Sequence, residues 1–403
     1  MIRWVVVVVV TVVAFYAVIV TVRIQQHSAL WFVHIGHEFL TTSNTSSVIR
    51  PSLGWQSPVG YDGQYYFALA ADPAHAHDYM PSTGGYVYSR IGYPMVARAF
   101  SLGSIRALPY VMLIVNLVAA VGGTLAVALW LRRRRAPVWP AVLFGLYPGM
   151  IFAVLRDLTE PLAFGLVALA VLMYDPARPR RLVGSAIVFA LAALTRETVL
   201  PFTIAAAAAL AVSDIRRTGT WRSAGSWSRG VSFAVCGFAP LLLWRLFVAG
   251  YLREPTQETG GSGWAVPFHG IVSYWHWDSQ HRLIVLTVVL PALAAGIGAL
   301  DLAFRRVAAL CAALLLANVL LYVVFLPRSV YVDYGGAGRA AMGVVLAALY
   351  CLPAWCDFAT SRGAAERAVR RSLLYGAGFA WSVLWYLLVA WHYNLPGIDL
   401  ITT

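Results

Sequence analysis

About eleven stretches of this chain approach the roughly 20 consecutive apolar residues that a helix needs to cross some 30 Å of hydrocarbon. The first covers 4–22, and the others fall near 107–131, 138–155, 159–174, 182–195, 198–212, 230–249, 283–300, 307–326, 338–356 and 372–391. In lipid a lone segment satisfies its backbone only as a helix. The expected fold is therefore an all-α polytopic membrane protein of about 11 spans, with a large first outer loop at 23–106. Composition supports the same class: 60% of the 403 residues are hydrophobic and 12% are charged. That balance excludes a soluble globular enzyme, and a disordered chain would need far less apolar content. The run 4–22 follows Arg3 as a signal peptide would, but no small-x-small site comes after it. It is expected to remain as an anchored span.

Charge then orients the chain. The net charge is +13 and every basic residue is an arginine. These arginines punctuate the apolar runs, which marks them as topology signals and argues against a nucleic-acid partner. Clusters at 132–135, at 178, 180 and 181, at 216, 217, 222 and 229, at 305–306, and at 362, 367, 370 and 371 fall in alternate loops. One side collects them all, and the positive-inside rule makes that side, with the N-terminus, cytoplasmic. An odd span count leaves 392–403 outside. The opposite face gathers loop 23–106, the turns 156–161 and 195–198, loop 250–282 and segment 327–339. A charge at the bilayer centre costs roughly 2.5–3.5 kcal/mol, so charges near span ends should pair or line a cavity. Residues 1–215, which include loop 23–106, and the helices of 216–403 are expected to be integrated as one domain in the cytoplasmic membrane.

Several groups on that outer face invite chemistry. In Gly60-Tyr61-Asp62-Gly63-Gln64-Tyr65-Tyr66, Asp62 either caps an amphipathic interfacial helix or serves as a general base at the water–lipid boundary. Arg90, in Ser89-Arg90-Ile91-Gly92-Tyr93-Pro94, reads equally as a snorkelling anchor and as a phosphate ligand. In Arg156-Asp157-Leu158-Thr159-Glu160-Pro161, Thr159 is the better N-cap, which leaves Asp157 free and Glu160 at a span entrance. Arg196-Glu197 joins two short runs, and ion pairs tying helix ends account for it as well as function does. The histidines and carboxylates of loop 250–282 match no zinc spacing, so no metal is expected. His34, His37 and Glu38 share a helical face and suggest another interfacial helix. Asp333 and Arg339 mark a glycine-rich span entrance without a nucleotide fingerprint. Cys236, Cys311, Cys351 and Cys356 are read as small core residues.

The ordered set Tyr-Asp-Gly-Gln-Tyr-Tyr at 61–66, Arg-Ile-Gly-Tyr-Pro at 90–94, Leu-Tyr-Pro-Gly at 146–149, Leu-Arg-Asp-Leu-Thr-Glu-Pro at 155–161 and Leu-Thr-Arg-Glu-Thr at 194–198 resembles bacterial cell-surface glycopolymer formation proteins. These look like distant relatives of the PIG-V-type mannosyltransferases among the C-type (GT-C) membrane glycosyltransferases. The resemblance covers roughly the N-terminal half. It implies a GT-C-like fold whose first outer loop carries a catalytic carboxylate, here Asp62, and a polyprenyl-phosphate sugar as donor. Arg90, Arg156 and Arg196 would then hold the donor phosphate. Tyr61, Gln64, Tyr65, Asp157, Glu160, Glu197, Asp333 and Arg339 would bind or orient substrate. Many C-type enzymes carry a second acid in this loop, whereas Gly63 and Gln64 follow Asp62 here, which argues against a metal-bridged donor and any cofactor. The implied partners are membrane lipid, the lipid-linked sugar and a glycan or glycolipid acceptor. A transporter or flippase of an anionic or lipid-linked substrate is the rival, but the halves show no convincing repeat and the charges sit toward one face, not the midplane.

Overall fold

In the computed structural model, residues 2–37, 39, 60–80, 84–253, 256, 267–273, 279–306, 308–326, 328–331 and 334–358 are described. They form helices joined by turns, with no β-strand among the described residues. In chain order the main helices are α1 (Ile2–Gln26), α2 (Gly63–Ala71), α3 (Gly84–Tyr88), α4 (Gly92–Phe100), α5 (Leu108–Arg133), α6 (Pro148–Val154) and α7 (Glu160–Met173). There follow α8 (Pro179–Thr195), α9 (Leu200–Thr218), α10 (Gly225–Leu252), α11 (Leu290–Phe304), α12 (Ala309–Val319), α13 (Tyr334–Ala340) and α14 (Met342–Phe358). Among the described residues five stretches, Ile2–Gln26, Leu108–Arg133, Glu197–Thr218, Gly225–Leu252 and Val285–Phe304, are long and apolar enough to cross a membrane. Glu160–Met173, Ala309–Phe325 and Met342–Cys356 are shorter apolar helices. The run 372–391 lies outside the described residues.

Lipid-facing surface is visible in how these helices divide their faces. On α1, Val5, Val8, Val12, Tyr16, Ile19 and Arg23 are buried at helical spacing, while Val6, Val7, Val10, Val13 and Val18 are exposed. On α10, Val231, Val235, Leu242, Leu243, Leu246 and Phe247 point outward in the same manner. Apolar stripes of this extent belong against hydrocarbon. Cys236 shares that outward face of α10, unlike the buried Cys311, Cys351 and Cys356, so it is no core residue.

Two sequence expectations are corrected. The run 138–155 is no single span: it breaks into Trp139–Ala141, Val142–Gly145 and α6. Pro148 causes the break, because it has no N–H to return to the preceding turn and drives Tyr147 to an extended ψ of 133°. Loop 23–106 is also no loose loop with an interfacial helix after Asp62. Every residue of α2 except Tyr65 is buried, and Tyr66, Phe67, Leu69, Met80, Val87 and Tyr93 make a second apolar core with Met112, Leu158 and Val248. This layer caps one end of the bundle. At the other end, Arg133 donates to the Leu172 carbonyl at 2.6 Å and Arg229 pairs with Asp214 at 3.0 Å. The basic turns near 133, 175 and 217–229 thus gather together, separated from Glu160 by the length of α7, about 21 Å at the rise of an α-helix.

Close backbone approach holds the two ends in register. A Cβ on Gly165 of α7 would lie 2.6 Å from the Ala119 carbonyl oxygen of α5, and one on Gly123 would lie 3.0 Å from the Gly165 Cα. Small residues on both helices permit this contact. Gly165→Ala should therefore cost about 1–3 kcal/mol through overpacking, read as a lowered unfolding temperature of the detergent-purified protein.

Candidate functional site

The turn before α2 is built by its neighbours. Tyr61 N–H donates to the His34 carbonyl at 3.0 Å, and Gly36 N–H donates to the Gln64 side-chain oxygen at 3.0 Å. A Cβ at Gly63 would sit 2.3 Å from the Arg156 carbonyl oxygen and 2.7 Å from that of Val33, so glycine alone fits. These contacts fix Asp62 beside the turn that enters α7. Asp62 occupies the N-cap position of α2 but its side chain makes no capping bond. Instead it accepts from Arg339 Nη1 at 2.8 Å, across 277 positions of sequence. Arg339 also lies 3.6 Å from Glu160 and 5.3 Å from the centre of the Tyr61 ring.

Two further pairs complete the cluster. Arg196 Nη1 meets Glu160 at 3.1 Å and donates to the Thr159 hydroxyl, also at 3.1 Å. Arg90 forks onto Glu197 at 2.6 and 3.0 Å and donates to the Tyr66 and Tyr86 hydroxyls, with its guanidinium over the Tyr86 ring. Arg245 approaches Glu197 at 3.7 Å. Four guanidiniums therefore face three carboxylates. Among those carboxylates Asp62 is the open one: its side chain is 37% exposed, against 11% for Glu197 and none for Glu160. Burial works to raise its pKa, but Arg339, with Arg90 and Arg196, outweighs that and holds the carboxyl below its ordinary range.

Arg156 adds a fifth guanidinium with no carboxylate partner among the described residues. It is 4% exposed, flanked by the Trp31 and Phe152 rings at 5.4 and 5.8 Å, and reaches only the Leu155 carbonyl at 3.5 Å. Burial pushes its pKa down to about 10, so it remains a cation at neutral pH. Burial, aided by this charge, holds the nearby His34 imidazole at about 3, hence neutral. A buried guanidinium without a counter-charge costs several kcal/mol, which an anion at this place would offset.

Other sequence-predicted residues fall elsewhere. Asp157 is no free carboxylate at the cavity edge. Leu158 N–H donates to Ala153 and Asp157 N–H to Val154, the double closure of a Schellman motif, and Asp157 takes its left-handed position at φ 48°. The motif turns the side chain inward, where it is fully buried beside Tyr93 Oη at 3.3 Å. Tyr93 Oη also accepts from Asn116 at 2.9 Å and lies 3.1 Å from the Met112 carbonyl. A hydroxyl has one proton; if Tyr93 gives it to Met112, Asp157 must supply its own. Burial raises the Asp157 pKa well above the carboxylate range, against the hydrogen bonds from Tyr93 and Asn116 that lower it. Gln64 is buried as a backbone tie, and Tyr65 packs edge-on to Phe39. His34 ends the four-residue helix Leu30–Val33 in a left-handed turn and is buried, so it marks no interfacial helix. Thr159 is the N-cap of α7 as expected, yet its hydroxyl serves Arg196. Glu38, Asp333 and most of loop 250–282 lie outside the described residues.

Sequence reading missed Arg245, Tyr66 and Tyr86. Arg245 carried a usable signal as the one charge inside the apolar run 230–249. Beside the cluster, α4, α5 and α7 enclose an apolar cleft of about 630 Å³ lined by Val96, Phe100, Val118, Leu162 and Leu166 among others.

Fold and site together define a helical membrane protein with a buried arginine–carboxylate cluster at one end of its bundle. Comparison with family models, with curated proteins and with solved structures gives no match.

The proton count at Asp157 has a measurable consequence. A carboxyl whose folded pKa is raised stabilises the fold fully below its unfolded value of about 4 and loses that contribution as pH rises toward the folded value, by about 1.4 kcal/mol per unit. Asp157→Asn keeps a neutral donor there. The variant should fold, and its stability relative to wild type should increase between pH 5 and pH 8 in thermal unfolding.

Proposed function

We propose that this chain is a GT-C-type membrane glycosyltransferase of about eleven spans, moving a sugar from a polyprenyl-phosphate donor to a cell-envelope glycan or glycolipid acceptor. The observation that carries the reading is the open Asp62 carboxylate set among buried guanidiniums in excess over carboxylates. The arginine-rich end of the bundle is cytoplasmic in this proposal, and the site faces the extracytoplasmic side. The donor's lipid chain lies in the apolar cleft beside α7, and no metal or cofactor is invoked.

In the proposed reaction, an acceptor hydroxyl attacks the anomeric carbon from the face opposite the lipid phosphate. The new glycosidic bond forms as the bond to the phosphate oxygen breaks, which inverts the anomeric centre. Asp62 takes the hydroxyl proton, and the phosphate leaves with the bonding electrons. Arg156 and Arg339 stabilise its growing charge. Among the described residues Arg196 commits only Nη1, to Glu160 and Thr159, which leaves it donors for the phosphate. Arg90 is different: Glu197, Tyr66 and Tyr86 occupy its fork, and it positions the outer layer without touching the phosphate. Glu160 and Glu197 hold the arginines, and Tyr61 supports Arg339.

Arg339 links binding to base strength. In the free site its Nη1 neutralises Asp62, and a donor phosphate competing for that guanidinium leaves the carboxylate more basic.

Asp62→Asn should lower transfer by 10²-fold or more, with an unchanged melting temperature, when proteoliposomes are given a panel of radiolabelled polyprenyl-phosphate sugars. Retained turnover removes Asp62 as base, and sealed-vesicle translocation without a new glycosidic bond replaces the enzyme by a carrier. Arg339→Gln should raise the Asp62 pKa, because it removes the largest influence holding it down. The acid limb of the rate–pH profile should then move to higher pH, as the carboxylate is lost sooner on acidification.

A further inference from the structure

The opposite end of the bundle holds a second cavity that the proposed reaction does not use. Where α8 and α10 part, a cleft of about 600 Å³ opens, with Leu182, Ile187, Phe233 and Cys236 on its walls and Arg217, Ser228 and Arg229 at its mouth. The two arginines share one acid: Asp214 lies 3.0 Å from Arg229 and 3.5 Å from Arg217. Arg217 is 72% exposed. The turns around the mouth, 174–181 and 214–229, hold seven arginines against Asp175 and Asp214. Nothing on these turns balances the surplus.

Two observations set the level of this mouth relative to a bilayer. Trp221 and Trp227 are exposed on the same turn, and Trp227 donates its indole N–H to the Trp221 carbonyl. Exposed tryptophans favour the headgroup region. Below them, Val183, Ile187 and Val235 present bare apolar surface along α8 and α10. The cleft therefore passes from a cationic, tryptophan-marked rim into a hydrocarbon-facing slot.

We propose that this cleft binds one anionic phospholipid, with its phosphate at the exposed Arg217 and an acyl chain along Leu182, Ile187 and Phe233; Arg229, held by Asp214 and the Pro176 carbonyl, adds its charge to the rim. A zwitterionic lipid would bring its own cation into a rim already rich in arginine, and free phosphate would leave the apolar walls bare. The site is distinct from the Asp62 cluster, being at the far end of α8, and it stands whether or not glycosyl transfer does.

Native mass spectrometry of the purified full chain, equilibrated with equal amounts of phosphatidylglycerol and phosphatidylcholine, tests the assignment. Wild type should retain phosphatidylglycerol in preference. An interfacial arginine is worth about fivefold in affinity for an anionic surface, so Arg217→Gln should cut the preference about fivefold. Cys236→Trp fills the slot from an exposed position and should abolish retention of the preferred lipid; melting temperatures establish that both variants fold. Absence of a preference in wild type, or a preference that either substitution leaves intact, overturns the assignment.

Discussion

A guanidinium keeps its proton when it leaves water, so a helix bundle that buries arginines must build around them. Arg90, Arg156, Arg196, Arg245 and Arg339 converge at one end of this bundle, with Arg23 beside Arg156 at the Trp31 ring, and each carboxylate of the cluster answers one or two of them. Glu197 takes Arg90 and Arg245; Glu160 takes Arg196 and shares Arg339 with Asp62. Because Arg90 comes from the first outer layer, Arg196 from the end of α8, Arg245 from α10 and Arg339 from α13, the ion pairs pin elements from the whole described chain to one another. Removing Glu160 or Glu197 would strand the buried Arg196 or Arg90 and cost about 3–5 kcal/mol, far more than losing an exposed pair would.

The outer layer exists to make that convergence possible. Its second apolar core fixes α2 and α4 against the upper ends of α5 and α10, which brings Tyr66 and Tyr86 onto the Arg90 fork. Gly63 then lets the Asp62 turn approach the Arg156 carbonyl more closely than any side chain would allow. The Schellman closure at 153–158 packs Ala153 and Leu158 in the same core, and it sends the Asp157 side chain inward while α7 starts two residues later with Glu160. Two acids three positions apart thus acquire different surroundings from backbone geometry: Asp157 is buried beside Tyr93 without a cation, and Glu160 is paired with Arg196.

Much of this was legible in the sequence at the level of elements, and little at the level of partners. The helices at 108–133 and 225–252 announce themselves by length and apolarity, and Thr159 with Pro161 marks the start of α7. The broken segment 138–155 was readable in principle, since Pro148 disfavours a continuous helix. Which valines of α1 face inward was not: a run of identical side chains has no moment, and the packing of α5 decides it. Asp157 was misread because glycine usually fills the left-handed closing position, and aspartate there looks like a free charge. Asp62 and Arg339 stand 277 positions apart, and no local pattern couples residues at that separation.

Helix α7 has 14 residues. At about 21 Å of rise it cannot by itself cross a hydrocarbon layer of about 30 Å, so in a bilayer its two ends cannot both reach water in the way those of α5 can. The basic turns around Arg133 and Arg229 hold the far end at a level rich in charge and tryptophan. Glu160, at the opposite end of α7, is fully buried within the protein. In such surroundings each charge acts over a longer range than at an exposed surface. Arg90 and Arg196, with no bond to Asp62, also help to hold its carboxyl below the ordinary range. In the proposed reaction, a donor phosphate would meet these preorganised cations in place of water.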